Sequence, residues 1–524
     1  MKKTAVFLSA LLALCAFGGC GGKEEVDVIS RIATNEYGVT YLEVDGKPFH
    51  YFGVESRLDA YMNCENQTVE DFEAQFVNAK ALGANVLAVP VDWRDVEPEK
   101  GLYDFSVVGT LLSFSVKYDV KLDLLWYSIN MCGESNSYQV PDYIWTDEET
   151  YPKYDSLNKG AFWSYYGEQG YLKASKALLK RESLVIGELM DFVYQWDLNN
   201  GETHPLIGVQ VYNEPDTYPN WRVAQQQISD GGKPITPQEA WADVCKAIDN
   251  AGKAFKRAKY NVVTRVNCAK LKGATDYAVR LFNLDGIDCV GNDPYITSVG
   301  GTYNLHKELQ SELPGNFAHC AENKGSYKNT ASLLLTSAYC GAGYIIYDLS
   351  TAVHFIENRG DSTLEEIDHG VLNPDGTDKA HTESVRRTLK ALVGAGDCVL
   401  LGNKADFAVF NLEESTPETE CFQSVNTTGV SAAFETAAGA VGFAIVYQGY
   451  VYLFASELAS IELGNADFSG FSYGAYFGGE WKEAGASVLV EGNKVTLENG
   501  LLCRAKVENI RGELVSNTKN YIGG

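Results

Sequence analysis

The sequence predicts an α/β fold: a (β/α)8 barrel followed by a C-terminal all-β, sandwich-like domain. Three observations predict it. Apolar strand-like runs alternate with helical patterns from Phe49 to Leu392, at about the spacing of strand–helix units. Two of these runs end abruptly in a glutamate. Past Gly394-Ala395-Gly396 the helical periodicity fades and short alternating strands replace it. The 524 residues exceed one usual domain, so two domains fit the length.

Taken in order, Met1-Lys2-Lys3 is a basic start and Thr4 to Phe17 an apolar stretch of fourteen residues, too short to span a bilayer. Gly18-Gly19-Cys20 follows. Small residues before a cysteine resemble a lipoprotein cleavage site with Cys20 acylated; plain secretion is the alternative. Lys23-Glu24-Glu25 resembles an acidic surface-export signal or is an ordinary solvated linker. The expected layout is a signal at 1–20, a tether at 21–36, a catalytic barrel at 37–395 and a β domain at 396–524. The expected location is outside the cytoplasm, anchored by lipid to a bacterial outer membrane.

Tyr37 to Gly53 reads as a hairpin entering the barrel, with Asp45-Gly46 as its turn. Phe49 to Val54 is the first strand. Thr68 caps a helix with Asp71 at the reciprocal position, and Gly83 ends it. Strands follow at Asn85 to Val91 and Lys121 to Tyr127, with a helix from Phe105 to Tyr118 between them. Ser128 to Gly170 lacks clear periodicity and reads as a long functional loop over the barrel mouth. A helix from Leu172 to Leu198 leads to the strand Ile207 to Val211. Thr236-Pro237 opens the next helix. Later strands are Val262 to Asn267, Ile287 to Tyr295, a seventh ending at Glu322, and Tyr344 to Leu349. Helices span Asn329 to Tyr339 and Glu383 to Leu392. Beyond them, Phe407 to Leu412, Ala444 to Tyr447, Tyr450 to Ala455, Ser487 to Glu491 and Lys494 to Leu497 read as β-strands. That domain either packs on the barrel or binds carbohydrate.

The formal net charge of −26 excludes a basic nucleic-acid footprint and is compatible with a neutral substrate such as a glycan. The 31 Tyr and 8 Trp suit sugar faces, although most serve the core. The 12 cysteines are scattered without a C-x-x-C pair; with Cys15 and Cys20 in the signal and anchor, most of the remaining 10 read as buried thiols, a few disulfides being the alternative in an exported protein. The 7 histidines form no metal-ligand spacing, so no metal or cofactor is expected.

The organising stretch is Val211-Tyr212-Asn213-Glu214-Pro215. Pro215 cannot donate to a sheet ladder, so the strand stops and leaves Asn213 and Glu214 at its carboxyl end. In a barrel that rim carries the chemistry. Ala321-Glu322-Asn323, 108 residues further on, repeats the arrangement and leaves room for three strand–helix units between. Two carboxylates on one rim are the equipment for glycoside hydrolysis.

These two motifs resemble the clan A glycoside hydrolases. Trp93 to Phe105 and Val140-Pro141-Asp142-Tyr143-Ile144-Trp145 resemble the β-galactosidases of glycoside hydrolase families 35 and 42, and the resemblance covers roughly Tyr41 to Gly394. The long Glu-Asn-Glu-Tyr signature of family 35 is not found. The resemblance implies a TIM barrel, Glu214 as acid/base, Glu322 as nucleophile, and Asn213 on the sugar 2-hydroxyl. It also gives Tyr295 a hydrogen bond to the nucleophile; the alternative is a rim aromatic without that role. Arg57 binds a sugar hydroxyl, orients Glu322, or is paired structurally. Asp293 binds a hydroxyl or caps the next turn. Trp126 walls the pocket or faces the core. The expected activity is a retaining, exo-acting, β-galactosidase-like glycosidase on a carbohydrate substrate. The alternatives are an endo-acting glucanase or mannanase, or a surface glycan-binding lipoprotein without catalysis.

Overall fold

The computed structural model describes residues 26–129, 139–156, 171–218, 223, 228–269, 275–411, 422–427, 429–436, 439–498 and 500–511. Cys20 and its surroundings lie outside these residues. Eight parallel strands close into a barrel. They are β1 (Phe52–Glu55), β2 (Val86–Asp92), β3 (Lys121–Tyr127), β4 (Leu206–Val211), β5 (Val263–Cys268), β6 (Cys289–Asn292), β7 (His319–Lys324) and β8 (Gly343–Tyr347). Each pairs with the next, and β8 pairs with β1. The (β/α)8 barrel and the C-terminal β sheets read from the sequence are both present.

Strand alternation sets what fills the barrel. Along β3, Leu122, Leu124 and Trp126 join the large cluster between strands and helices. Leu125 and Tyr127 point inward with Val86, Ala88, Ile207, Val263, Cys289 and Ile345. Among these apolar residues Arg265 donates to Asp123 at 2.9 Å, both buried, and Tyr51 donates to the same carboxylate. Such a pair is tolerated inside because each partner offsets the other's desolvation.

The foot of the barrel is closed by a three-stranded sheet of Ser30–Thr34, Thr40–Val44 and Lys47–Phe49. Asp45 and Gly46 both have positive φ, 52° and 70°, as a tight two-residue hairpin turn needs. Lys47–Phe49 belongs to this sheet, so the first barrel strand begins at Phe52 rather than Phe49.

Helices surround the strands. Lys176–Asn199 and Pro237–Lys256 follow β3 and β4, the latter with a full Thr236/Glu239 capping box. The Thr68–Asp71 pair does form, but it closes a turn, and the α-helix runs Glu73–Leu82. Helices that escaped the sequence reading include Leu58–Glu65, Thr275–Phe282 and Val299–Glu312. The last of these opens on Val299-Gly300-Gly301, where glycine hides the helical signal.

In the Ser128–Gly170 region, residues 130–138 and 157–170 lie outside those described. The rest is more regular than expected. It contains a helix at Asp142–Thr146 and a strand at Lys153–Ser156. That strand joins a four-stranded sheet with Tyr171–Leu172, Ile228–Asp230 and Lys233–Pro234, which ties the segments after β3 and β4 together.

The C-terminal part forms a six-stranded and a five-stranded antiparallel sheet. Phe410, Leu453, Phe434, Ile461 and Val495 form a core between them. Phe443, Tyr452 and Phe454, on the other face of the first sheet, join the barrel's own cluster. That sheet therefore packs on the barrel. Eight cysteines among the described residues are free thiols, all buried except Cys64. No helix among the described residues is long and apolar enough to cross a membrane.

Candidate active site

β4 is buried throughout and then breaks sharply. Tyr212 and Glu214 adopt positive φ of 65° and 42°. Non-glycine residues persist there only when their surroundings hold them. On one side Tyr212 Oη donates to both Glu182 carboxylate oxygens at 3.0 and 3.1 Å. On the other the Glu214 backbone N–H donates to Asn267 Oδ1 at 2.9 Å. Pro215 follows, and the Thr217 hydroxyl donates to the Glu214 carbonyl at 2.8 Å. The turn thus delivers Asn213 and Glu214 to the barrel mouth.

Glu322 lies within β7, buried, beside a register irregularity between Cys320 and Asn323. Such irregularities re-aim a strand's side chains. Tyr295 Oη donates to Glu322 Oε2 at 2.5 Å. Tyr295 itself has φ 46°, and its carbonyl accepts from Tyr327 Oη at 3.1 Å. Asn267 Nδ2 reaches Glu322 Oε1 at 3.3 Å.

The two glutamates face one cavity of about 260 Å3, lined also by Glu55, Arg57, Tyr127, Asn213, Tyr295, Lys324, Tyr347 and His369. Asn213 and Tyr295 therefore stand where the sequence placed them. Arg57 lines the cavity, yet its guanidinium is held by Asp59 at 2.8 and 2.7 Å, the structural pairing.

Two residues are not in the cavity wall. Trp126 points outward, donating to Glu182 at 3.2 Å and packing edge-on against Phe255. Strand parity is the reason: with Asp123 and Leu125 inside, Tyr127 faces the cavity and Trp126 faces the helices. Asp293 neither meets the cavity nor caps a turn. It is fully buried and accepts from Asn267 at 2.7 Å. Burial, then the charges of Glu322 and Glu214, pushes its carboxyl well above the usual range.

Sequence reading missed Glu55, Tyr127, Lys324, Tyr347 and His369, together with Asn267 beneath them. Burial first, and Glu322 second, pushes the Glu55 carboxyl well up, with Arg57 opposing. His369 is lowered to about 4 by burial and by Lys324, so it is neutral. The wall combines hydrogen-bonding groups with tyrosine rings, and its two central carboxylates can transfer a proton and attack an electrophilic carbon.

A family model described as Domain of unknown function (DUF4978) matches residues 243–417, which include Glu322 but not Glu214. No curated protein sequence matches the chain. Among solved structures it is similar to an exo-β-1,4-mannosidase from Opitutaceae bacterium strain TAV5, at 13% identity over 70% of this chain and 63% of that one, with a TM-score of 0.47. It is also similar to a family 39 glycoside hydrolase from the gut symbiont Bacteroides cellulosilyticus WH2, at 10% identity over 90% and 84% of the two chains, TM-score 0.43. A β-galactosidase from the Antarctic haloarchaeon Halorubrum lacusprofundi matches at 12% over 66% and 58%, TM-score 0.44. The chain thus spans less than two thirds of the mannosidase and of the β-galactosidase.

Proposed function

We propose that this chain is a retaining, exo-acting β-glycosidase working by double displacement on two glutamates. One observation carries the reading. Glu214 and Glu322, 108 residues apart, come from the ends of β4 and β7 to one cavity. Glu322 would attack the anomeric carbon while Glu214 gives its proton to the departing glycosidic oxygen. That breaks the C–O bond and forms a glycosyl ester on Glu322. Glu214, now ionised, takes a proton from water, whose oxygen attacks the same carbon and releases Glu322. A retaining mechanism needs the carboxyls about 5–5.5 Å apart.

Tyr295 and Asn267 both donate to Glu322, which favours the ionised form that a nucleophile requires. Asn213 is the group for a hydroxyl next to the anomeric carbon. The cavity is smaller than the roughly 300–1,000 Å3 of sites enclosing larger ligands, which supports one terminal sugar ring and exo action. A β-galactoside is the first sugar to try, on the sequence resemblance. Screening nitrophenyl β-glycosides against the wild type and Glu322→Gln tests the reading. Wild-type hydrolysis absent from the variant supports it; no hydrolysis of any β-glycoside defeats it.

We also propose that Cys20 is acylated and anchors the protein to the membrane, where it would meet extracellular glycans. The support is the short apolar stretch ending in Gly18-Gly19-Cys20.

A further inference from the structure

Asn267 occupies the inward row of β5, two residues above Arg265, and is fully buried. It touches both halves of the site. Its Oδ1 accepts from the Glu214 backbone at 2.9 Å. The two hydrogens of its Nδ2 go to Asn213 Oδ1 at 2.6 Å and Asp293 Oδ2 at 2.7 Å, and Glu322 Oε1, at 3.3 Å, shares one of them. The amide cannot be turned over. A backbone N–H only donates, so the atom facing Glu214 must be oxygen, and the amino end must face the three acceptors.

That fixed amide determines its neighbours. Asn213 Oδ1 is held by Asn267 and also by Gln210 Nε2 at 3.0 Å. With its oxygen turned down into the network, the amino group of Asn213 is the end that meets a ligand. Glu214, at φ 42°, is held in a conformation that its own side chain does not favour. The same Asn267 that holds it supplies a hydrogen to Glu322.

We infer that Asn267 is a positioning residue that sets three things through one side chain: the backbone turn carrying Glu214, the orientation of the Asn213 amide, and the hydrogen-bonded state of Glu322. This rests on the hydrolase reading for its catalytic meaning, and on geometry alone for its effect on Glu322. Asn267 touches no substrate; it acts through Asn213, Glu214 and Glu322.

Two substitutions in the full chain separate positioning from mere support. Asn267→Asp keeps an acceptor for the Glu214 N–H but sets a carboxylate against Glu322. Asn267→Ala removes both ends. Losing a donor disfavours ionised Glu322, and adding a negative charge disfavours it more. The groups facing Glu322 are otherwise the same in every variant: Glu55, Glu214, Tyr127, Asp293, Tyr295 and Tyr347, with Arg57 and Lys324 as cations in the cavity wall.

The experiment is a 13C titration of the Glu322 carboxyl, its signal assigned with Glu322→Gln, in wild type and both variants. The midpoint should rise in both, by about one pH unit or more in Asn267→Asp. The acidic limb of the kcat/KM profile should move with it, and kcat should fall at least about tenfold in each. An unmoved Glu322 midpoint in Asn267→Asp overturns the inference even if stability drops, because a purely structural role would lower stability alone. The titration reads Asn267 without turnover. A wild type inert on every glycoside would thus defeat the hydrolase reading while the carboxyl shift still decides the role of Asn267.

Discussion

Glu322 accepts hydrogen bonds from a phenol and an amide at once, and a glutamine in its place would present an amide without nucleophilic oxygen. Under the proposed hydrolysis, Glu322→Gln should lower kcat by on the order of 10⁴–10⁶-fold while the thermal melt stays near that of the wild type. A variant turning over at nearly the wild-type rate would remove Glu322 from the chemistry. The same scale shows what the sequence could and could not reveal. Glu214 and Glu322 were legible because each ends an apolar run, although the strand carrying Glu322 continues to Lys324. Glu55 stands at the end of β1 in the same way and was available by that logic. Tyr127 was available by parity, since one inward residue on β3 places every second one inside. His369 and Lys324 carried no such signal: His369 comes from a loop after β8, and Lys324 reads locally as one more surface lysine.

Among the elements, the turn after β4 joins the helix Lys176–Asn199 to the site. Glu182 on that helix is wholly buried and accepts from Trp126, Ser128 and Tyr212. Burial, against those three donors, pushes its carboxyl up to about 7. An unfolded glutamate titrates near 4.3. Between about 4.3 and 7 the folded chain therefore holds the extra proton, and stability falls as pH rises through that window. Glu182→Gln removes this titration, so its melting temperature should fall less than the wild type's between about pH 5 and pH 7. Equal slopes would mean that Glu182 does not titrate there. Elements with a strong period were read closely: Lys121–Tyr127 and Tyr450–Ala455 have the expected ends. Elements opening on glycine, or beginning with a reciprocal turn such as Thr68–Asp71, were displaced or missed, because local capping chemistry serves turns and helices alike.

For the whole molecule, the acids sit at the carboxyl ends of the barrel strands while the Ser30–Phe49 hairpin closes the foot. The C-terminal sheets pack on the outside, so their first sheet is apolar on both faces. If Cys20 carries the anchor, the wild type should partition with membranes and Cys20→Ala should appear in the soluble fraction, since several acyl chains hold firmly where one is marginal. A wild type already soluble on fractionation would refute the anchor. The central claim, that Glu214 and Glu322 divide acid/base and nucleophile roles across one cavity, is tested most directly by chemical rescue of Glu214→Ala. A substrate with a good leaving group, such as a dinitrophenyl β-glycoside, needs little protonation, so Glu322 should still be glycosylated. Deglycosylation then lacks its base and the ester accumulates. Azide needs no base and attacks the anomeric carbon from the vacated space, so turnover should rise with azide and yield a β-glycosyl azide. Equal impairment on activated and natural substrates, with no azide product, would contradict the assignment.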